Sequence, residues 1–189
     1  MKKKKGQIIA VCGIFIALGI VFGKFLMIPI GNSNRISLGS LPAILASVCF
    51  GPVYGFAVGA LADVIGCIPA GMAINPLITL GAAAVGCLPG VLCRALRIDA
   101  RVRSRRTVIT LSLGLLVGHA VGDMVLKTAG IFWWYHTPVR LLMLRVPIAL
   151  ATAVLELAIL LILFSRRGVT DLLTACGADW NNGKRGDLH

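Results

Sequence analysis

Seven charged side chains at similar depth stand inside or at the edge of apolar runs, and through them this chain could do chemistry. They are Lys24, Arg35, Lys127, Arg140 and Arg145, with the carboxylates Asp63 and Asp123. A charge at the centre of a spanning helix costs about 2.5–3.5 kcal/mol on insertion scales, so such residues usually have a task. Five cations against two carboxylates leave an excess of three positive charges, and a positive cavity suits an anionic solute. His119, Asp123 and Lys127 recur at every fourth residue, which stacks them on one helix face. Asp123 ahead of Lys127 is the favourable order for an ion pair. Arg145, Thr152 and Glu156 share a second face by helical spacing, with Glu156 the deepest, as a ligand contact or as a structural partner. Lys24 and Arg140 lie near helix ends, where snorkelling to headgroups competes with a place in the cavity. Asp63 reads either as a packing anchor or as an acceptor for a ligand's donors.

The elements that must position these groups follow from composition. Of 189 residues, 58% are hydrophobic and only 14% charged, and the mean hydropathy is +0.91. A soluble domain carries about 25% charged residues, so the chain is read as an all-α integral membrane protein. A span needs about 20 apolar residues, and the sequence divides into six transmembrane helices, at residues 7–30, 40–50, 53–68, 77–96, 108–131 and 139–164. The first is read as retained rather than as a signal peptide, its apolar run being longer than an h-region with no small-residue cleavage site after it. The second is too short to cross unaided and needs neighbours around its ends. Gly31-Asn32-Ser33-Asn34 reads as a loop, and Pro89 as a kink in the fourth helix. Residues 1–165 form the membrane domain and 166–189 a polar cytoplasmic tail.

The net charge of +12 is distributed, not diffuse. Fourteen of the 19 basic residues fall at the N-terminus, in the last turn of the fourth helix and the loop after it, and in the C-terminal tail. With six helices these regions share one side, and the positive-inside rule makes both termini cytoplasmic in the cell membrane. The charge is therefore no sign of nucleic acid. The five remaining cations then lie in the outer half of the membrane or at its outer edge. Six scattered cysteines show no metal spacing and read as small hydrophobes. Trp133, Trp134 and Tyr135 sit where an interfacial aromatic belt is expected, and one of them could stack on a flat ligand. Gly13 with Ala17, and Gly19 with Gly23, give the first helix two offset small faces, one for an internal contact and one for an outside partner. No GxxxxGK[ST] loop occurs, so ATP-driven movement would need another chain.

Several strings resemble a known family. They are Arg35-Ile36-Ser37-Leu38-Gly39-Ser40-Leu41-Pro42-Ala43, the run from Phe50-Gly51-Pro52 through Gly55, Gly59 and Asp63, and Asn75-Pro76-Leu77-Ile78-Thr79-Leu80-Gly81-Ala82. With Lys127-Thr128, Arg145-Val146-Pro147 and Glu156, they resemble the substrate-binding S components of energy-coupling factor vitamin transporters, most of all the folate-specific branch. The resemblance covers residues 10–165. It implies an outward-facing vitamin site, a transmembrane coupling subunit and two cytoplasmic ATPases as partners, and docking through a paired-alanine motif on the first helix. The matching positions here are Gly13 and Ala17, which keep the size but not the identity.

Folate, or a reduced folate, fits the residues: a flat pterin, an aromatic linker and a glutamate with two carboxylates. Arg35, Lys127 and Arg145 are candidates for the carboxylates, since arginine grips them through paired hydrogen bonds. Asp63 would accept from the pterin, Asn75 and Thr79, one turn apart, would complete its polar edge, and Trp134 or Tyr135 would cover the ring. This reading calls for no cofactor. Riboflavin is the alternative within the class, though it would leave three cations without a purpose; thiamine is cationic and fits worse. A membrane enzyme using His119 and Asp123 as acid and base is a further reading, weakened by the lack of a nucleophile motif, of HExxH and of a second nearby carboxylate. A structural partner protein, binding other helices through its glycine faces, is the last.

Overall fold

In a computed structural model of the protein, the described residues are 2–25, 27–30, 34–71, 73–96, 105–135, 145–166 and 171, with the backbone alone described at 2–5, 28–30, 34–36, 135 and 145. They form six helical rods and one short hairpin. The first rod, α1, runs Lys2–Ile20 and continues as a wider π-helical segment over Val21–Phe25. Then β1, Ile28–Ile30, pairs antiparallel with β2, Asn34–Ile36, placing Pro29 opposite Arg35. The helix expected to reach residue 30 therefore ends five residues early. Pro29 disfavours helical backbone in the residue before it, and an Ile-Pro-Ile run suits an edge strand. The anticipated loop at 31–34 overlaps the start of β2; residues 31–33 lie outside the described residues.

Helix α2, Leu41–Phe50, is 10 residues long, and α3, Pro52–Cys67, is 16. Between them Gly51 takes φ 119°, a conformation that residues with a Cβ rarely adopt. Nine of the ten α2 residues are buried, including Ile44, Ala46 and Cys49. A helix of that length spans about 15 Å, half a hydrocarbon core. It is tolerated because other rods, not lipid, surround it. The remaining rods are α4, Pro76–Ala95, which continues through Pro89, then α5 and α6. We take α5 as one rod in three stretches, Arg105–His119, the π-helical Ala120–Lys127 and Thr128–Tyr135. The last rod, α6, is Arg145–Ser165; the earlier start expected at 139 lies outside the described residues. So does the tail beyond Arg166, except Asp171.

Four stretches are long and apolar enough to cross a bilayer: Gly6–Phe25, Pro76–Ala95, Arg105–Trp134 and Val146–Ser165. Their outward faces are apolar, with Ile14, Leu113, Leu116, Val154 and Ile162 exposed. That is the surface a lipid solvent requires and water would penalise. Helices within the bundle approach through small residues. A Cβ on Gly59 of α3 would stand 2.6 Å from the carbonyl oxygen of Ala82 in α4. On α1, Gly19 meets Ala62 and Gly23 meets Gly39, while Gly13 and Ala17 are exposed and a Cβ on Gly13 would meet no described atom within 4 Å. The two small faces of the first helix thus differ: one is packed inside, the other is open.

Candidate ligand-binding site

Two ionic clusters form toward one end of the bundle, where α1 and α3 approach their C-termini and α4 begins, the second reaching midway along α5 and α6 at His119 and Glu156. In the first, Lys24 Nζ lies 3.5 Å from Asp63 Oδ1, and the two side chains are only 8% and 14% exposed. Thr79 donates its hydroxyl to Asp63 Oδ2 at 2.9 Å. The stem of Lys24 crosses Gly66, where a Cβ would come within 3.1 Å of Lys24 Cε. Snorkelling is thus not what Lys24 does; it turns inward to a carboxylate 39 positions away. Among such low-dielectric surroundings an ion is normally paired.

The second cluster is a chain of contacts. Lys127 Nζ lies 2.5 Å from Asp123 Oδ1, and Asp123 Oδ2 lies 2.5 Å from His119 Nδ1. The other ring nitrogen, Nε2, lies 2.9 Å from Glu156 Oε2. Glu156, fully buried on α6, also accepts from the Ser40 hydroxyl. Ser40 holds the N-cap position of α2, yet its side chain caps no backbone there. The helical face of His119, Asp123 and Lys127 is therefore a continuous ionic contact. The π-helical turns that carry Asp123 and Lys127 had no counterpart in the sequence reading; such local widening is frequent at functional sites. Thr128 braces them by donating to the Asp123 carbonyl at 2.9 Å. The stem of Lys127 lies over Gly81 of α4, where a Cβ would be 2.6 Å from Lys127 Cγ. Thr79 and Gly81 stand about 200° apart around α4, so the start of this helix separates the two clusters and touches both.

Asn75 is 1% exposed. Its Oδ1 accepts from Leu77 N as the N-cap of α4, and its Nδ2 donates to the Gly130 carbonyl, both at 3.0 Å. The side chain therefore anchors α4 to α5. Trp134 is 57% and Trp133 76% exposed. Arg35 lies on β2, which packs against α6, and Arg145 opens α6; their side chains and that of Tyr135 are outside the description, as is all of Arg140. The structure thus brings together Asp63 with Thr79, and Lys127 with Asp123. The residues whose roles were not foreseen are Lys24 as the partner of Asp63, and Ser40 as a donor to Glu156. No sequence spacing could reveal either, since the partners lie far apart in the chain.

The profile of the family described as "ECF-type riboflavin transporter, S component" matches residues 3–167. The chain belongs to this family. Two solved structures share the fold. One, "Crystal structure of FolT bound with folic acid", is 23% identical with a TM-score of 0.59, over 88% of this chain and 92% of that one. The other, "Structure and mechanism of the S component of a bacterial ECF transporter", is 17% identical with a TM-score of 0.64, over 89% and 98%. As an S component the protein is a transport subunit, not an enzyme, and a multi-pass membrane protein. The His119–Asp123 contact accordingly belongs to a buried ionic chain within a transporter, and not to an acid–base pair for catalysis.

Proposed function

We propose that this S component captures folate from outside the cell and hands it to a separate module, a transmembrane coupling subunit with two cytoplasmic ATPases. Both termini and the tail from residue 166 lie in the cytoplasm, which puts the two ionic clusters toward the outward end. One observation carries the choice of ligand. Asp63 and Asp123 already have lysine partners, Lys24 and Lys127, within the fold. The carboxylates that could offset the positive excess are therefore committed, and Arg35, Arg140 and Arg145 supply the charge for an anionic ligand. Arg35 and Arg145, with Lys127 at the edge, receive the glutamate carboxylates of folate. Asp63 and Thr79 meet the pterin edge, Asn75 fixes the start of α4 beneath it, and Trp134 or Tyr135 covers the ring. Gly13 and Ala17, exposed on α1, form the face that docks on the coupling subunit.

The folic acid in the FolT structure supports this reading. The description of the family favours riboflavin as a second reading. The ligands differ in charge, and that decides the test. Labelled folate is titrated into the purified protein in detergent, without ATP or partner subunits, in competition with riboflavin and thiamine. Saturable binding displaced by unlabelled folate alone is expected. Displacement by riboflavin, or riboflavin binding with none for folate, overturns the assignment and leaves the family intact.

A further inference from the structure

The chain from Lys127 to Ser40 has an unusual proton requirement. Both ring nitrogens of His119 face carboxylate oxygens, Asp123 at 2.5 Å and Glu156 at 2.9 Å. A neutral imidazole has one N–H to donate, and an ionised carboxylate only accepts. Both contacts can be hydrogen bonds only if the trio of Asp123, His119 and Glu156 holds one proton beyond the neutral ring. With that proton, Lys127, Asp123, His119 and Glu156 sum to zero charge. Without it two acceptors face each other, and an unmatched negative charge is left in the bundle.

Among the described side chains, no other ion pair reaches Asp123 or Glu156. Toward this part of α5, α4 presents Gly81, Val85 and Pro89, and α2 carries no charged residue. Lys24 and Asp63 are engaged with each other on the other side of α4. The hydroxyl of Ser40 donates to Glu156. On β2 and α6 the charged neighbours are Arg35 and Arg145, which the proposed function already gives to the ligand. At its two ends the chain touches elements that matter for binding. Lys127 is a candidate ligand contact, and Ser40 lies four residues beyond β2, which carries Arg35.

We infer that His119, an imidazolium between two carboxylates, and Glu156 are positioning residues for the ligand site, and that the extra proton on the ring locks Lys127 and the start of α2 in place. The inference rests on the folate reading for its ligand, though not for its proton. Loss of the proton leaves the ring one N–H for two carboxylates, so either Asp123 or Glu156 is released from His119, and the released carboxylate carries Lys127 or Ser40 with it. Glu156→Gln separates this role from simple packing. The amide keeps the size, accepts from Ser40 and donates to Nε2 of a neutral His119, so every contact survives with no extra proton to hold.

Two measurements test it. Nitrogen-15 spectra of histidine-labelled protein in detergent, with His119 assigned by His119→Gln, report the ring directly. A doubly protonated ring in the wild type near neutral pH, and a singly protonated one in Glu156→Gln, are expected. Folate binding is then followed from about pH 7 to about pH 10 in both proteins. They share the titration of Lys127 and of folate itself, so the difference between their profiles belongs to the His119 proton. Wild-type affinity falls about tenfold per pH unit more steeply than that of Glu156→Gln once the proton leaves. A neutral His119 in the wild type, or superimposable pH profiles, overturns the inference. A doubly protonated His119 in a protein that binds no folate supports the extra proton and overturns the folate reading alone.

Discussion

Replacing Lys24 by Met keeps the length of the stem over Gly66 and deletes the charge that faces Asp63. The carboxylate, 14% exposed and 3.5 Å from Lys24 Nζ, is then left with the Thr79 hydroxyl as its remaining described partner. Breaking a buried pair from one side costs about 3–5 kcal/mol. In a chain of this size each kcal/mol moves Tm by about 2–4 °C, so the expected fall is about 6–20 °C in detergent. The double variant Lys24→Met/Asp63→Leu removes both charges, and replacing a buried pair by apolar groups is often neutral or stabilising. Most of the loss should return. Folate binding should not return, because the acceptor assigned to the pterin has gone. Thermal unfolding of the two single variants and the double one, with folate titrations on each, separates the roles of Asp63. A fall below about 2 °C for Lys24→Met, or a double variant showing the sum of both single losses, would refute a buried, mutually dependent pair.

Two further outcomes follow from the packing. Gly81→Ala places a Cβ 2.6 Å from Lys127 Cγ and 2.6 Å from the Gly122 carbonyl oxygen; α4 and α5 must separate, and both Tm and folate affinity should fall together. Leucine at Gly13 and Ala17 enters open space on α1, so Tm and folate binding should stay as they are while co-purification with the coupling subunit is lost.

The sequence made some of this arrangement legible and hid the rest for physical reasons. The repeat of His119, Asp123 and Lys127 announced a shared face because local spacing alone determines it, and the ion pairs lie along that face. Placing Glu156 deep on α6 was equally local, but its partners were not. His119 is 37 positions away and Ser40 is 116, separations that carry no periodic signal. Lys24 near a helix end is compatible with headgroups or with a buried carboxylate, and only the approach of α1 to α3 through Gly19 and Ala62 decides between them. Ile28-Pro29-Ile30 is apolar enough to pass for helix, and a short apolar run does not distinguish strand from helix. The π-helical turns at Ala120–Lys127 left no compositional trace at all. Six helical rods were readable because their apolar runs are long, or, for α2 and α3, punctuated by Pro42 and by Gly51-Pro52.

The central claim is that Arg35 and Arg145, with Lys127 at the edge, receive the carboxylates of folate. It is tested most directly by comparing folate with pteroamide, the primary amide of pteroic acid, which keeps the pterin and aminobenzoyl rings and carries no carboxylate. Hydrogen bonds to charged groups contribute about 1.5–3 kcal/mol, so the wild type should bind folate about 10- to 150-fold more tightly than pteroamide. Arg145→Ala should narrow that gap while leaving pteroamide affinity nearly unchanged. Equal affinity for the two ligands in the wild type, or a gap that survives Arg145→Ala, would contradict the account.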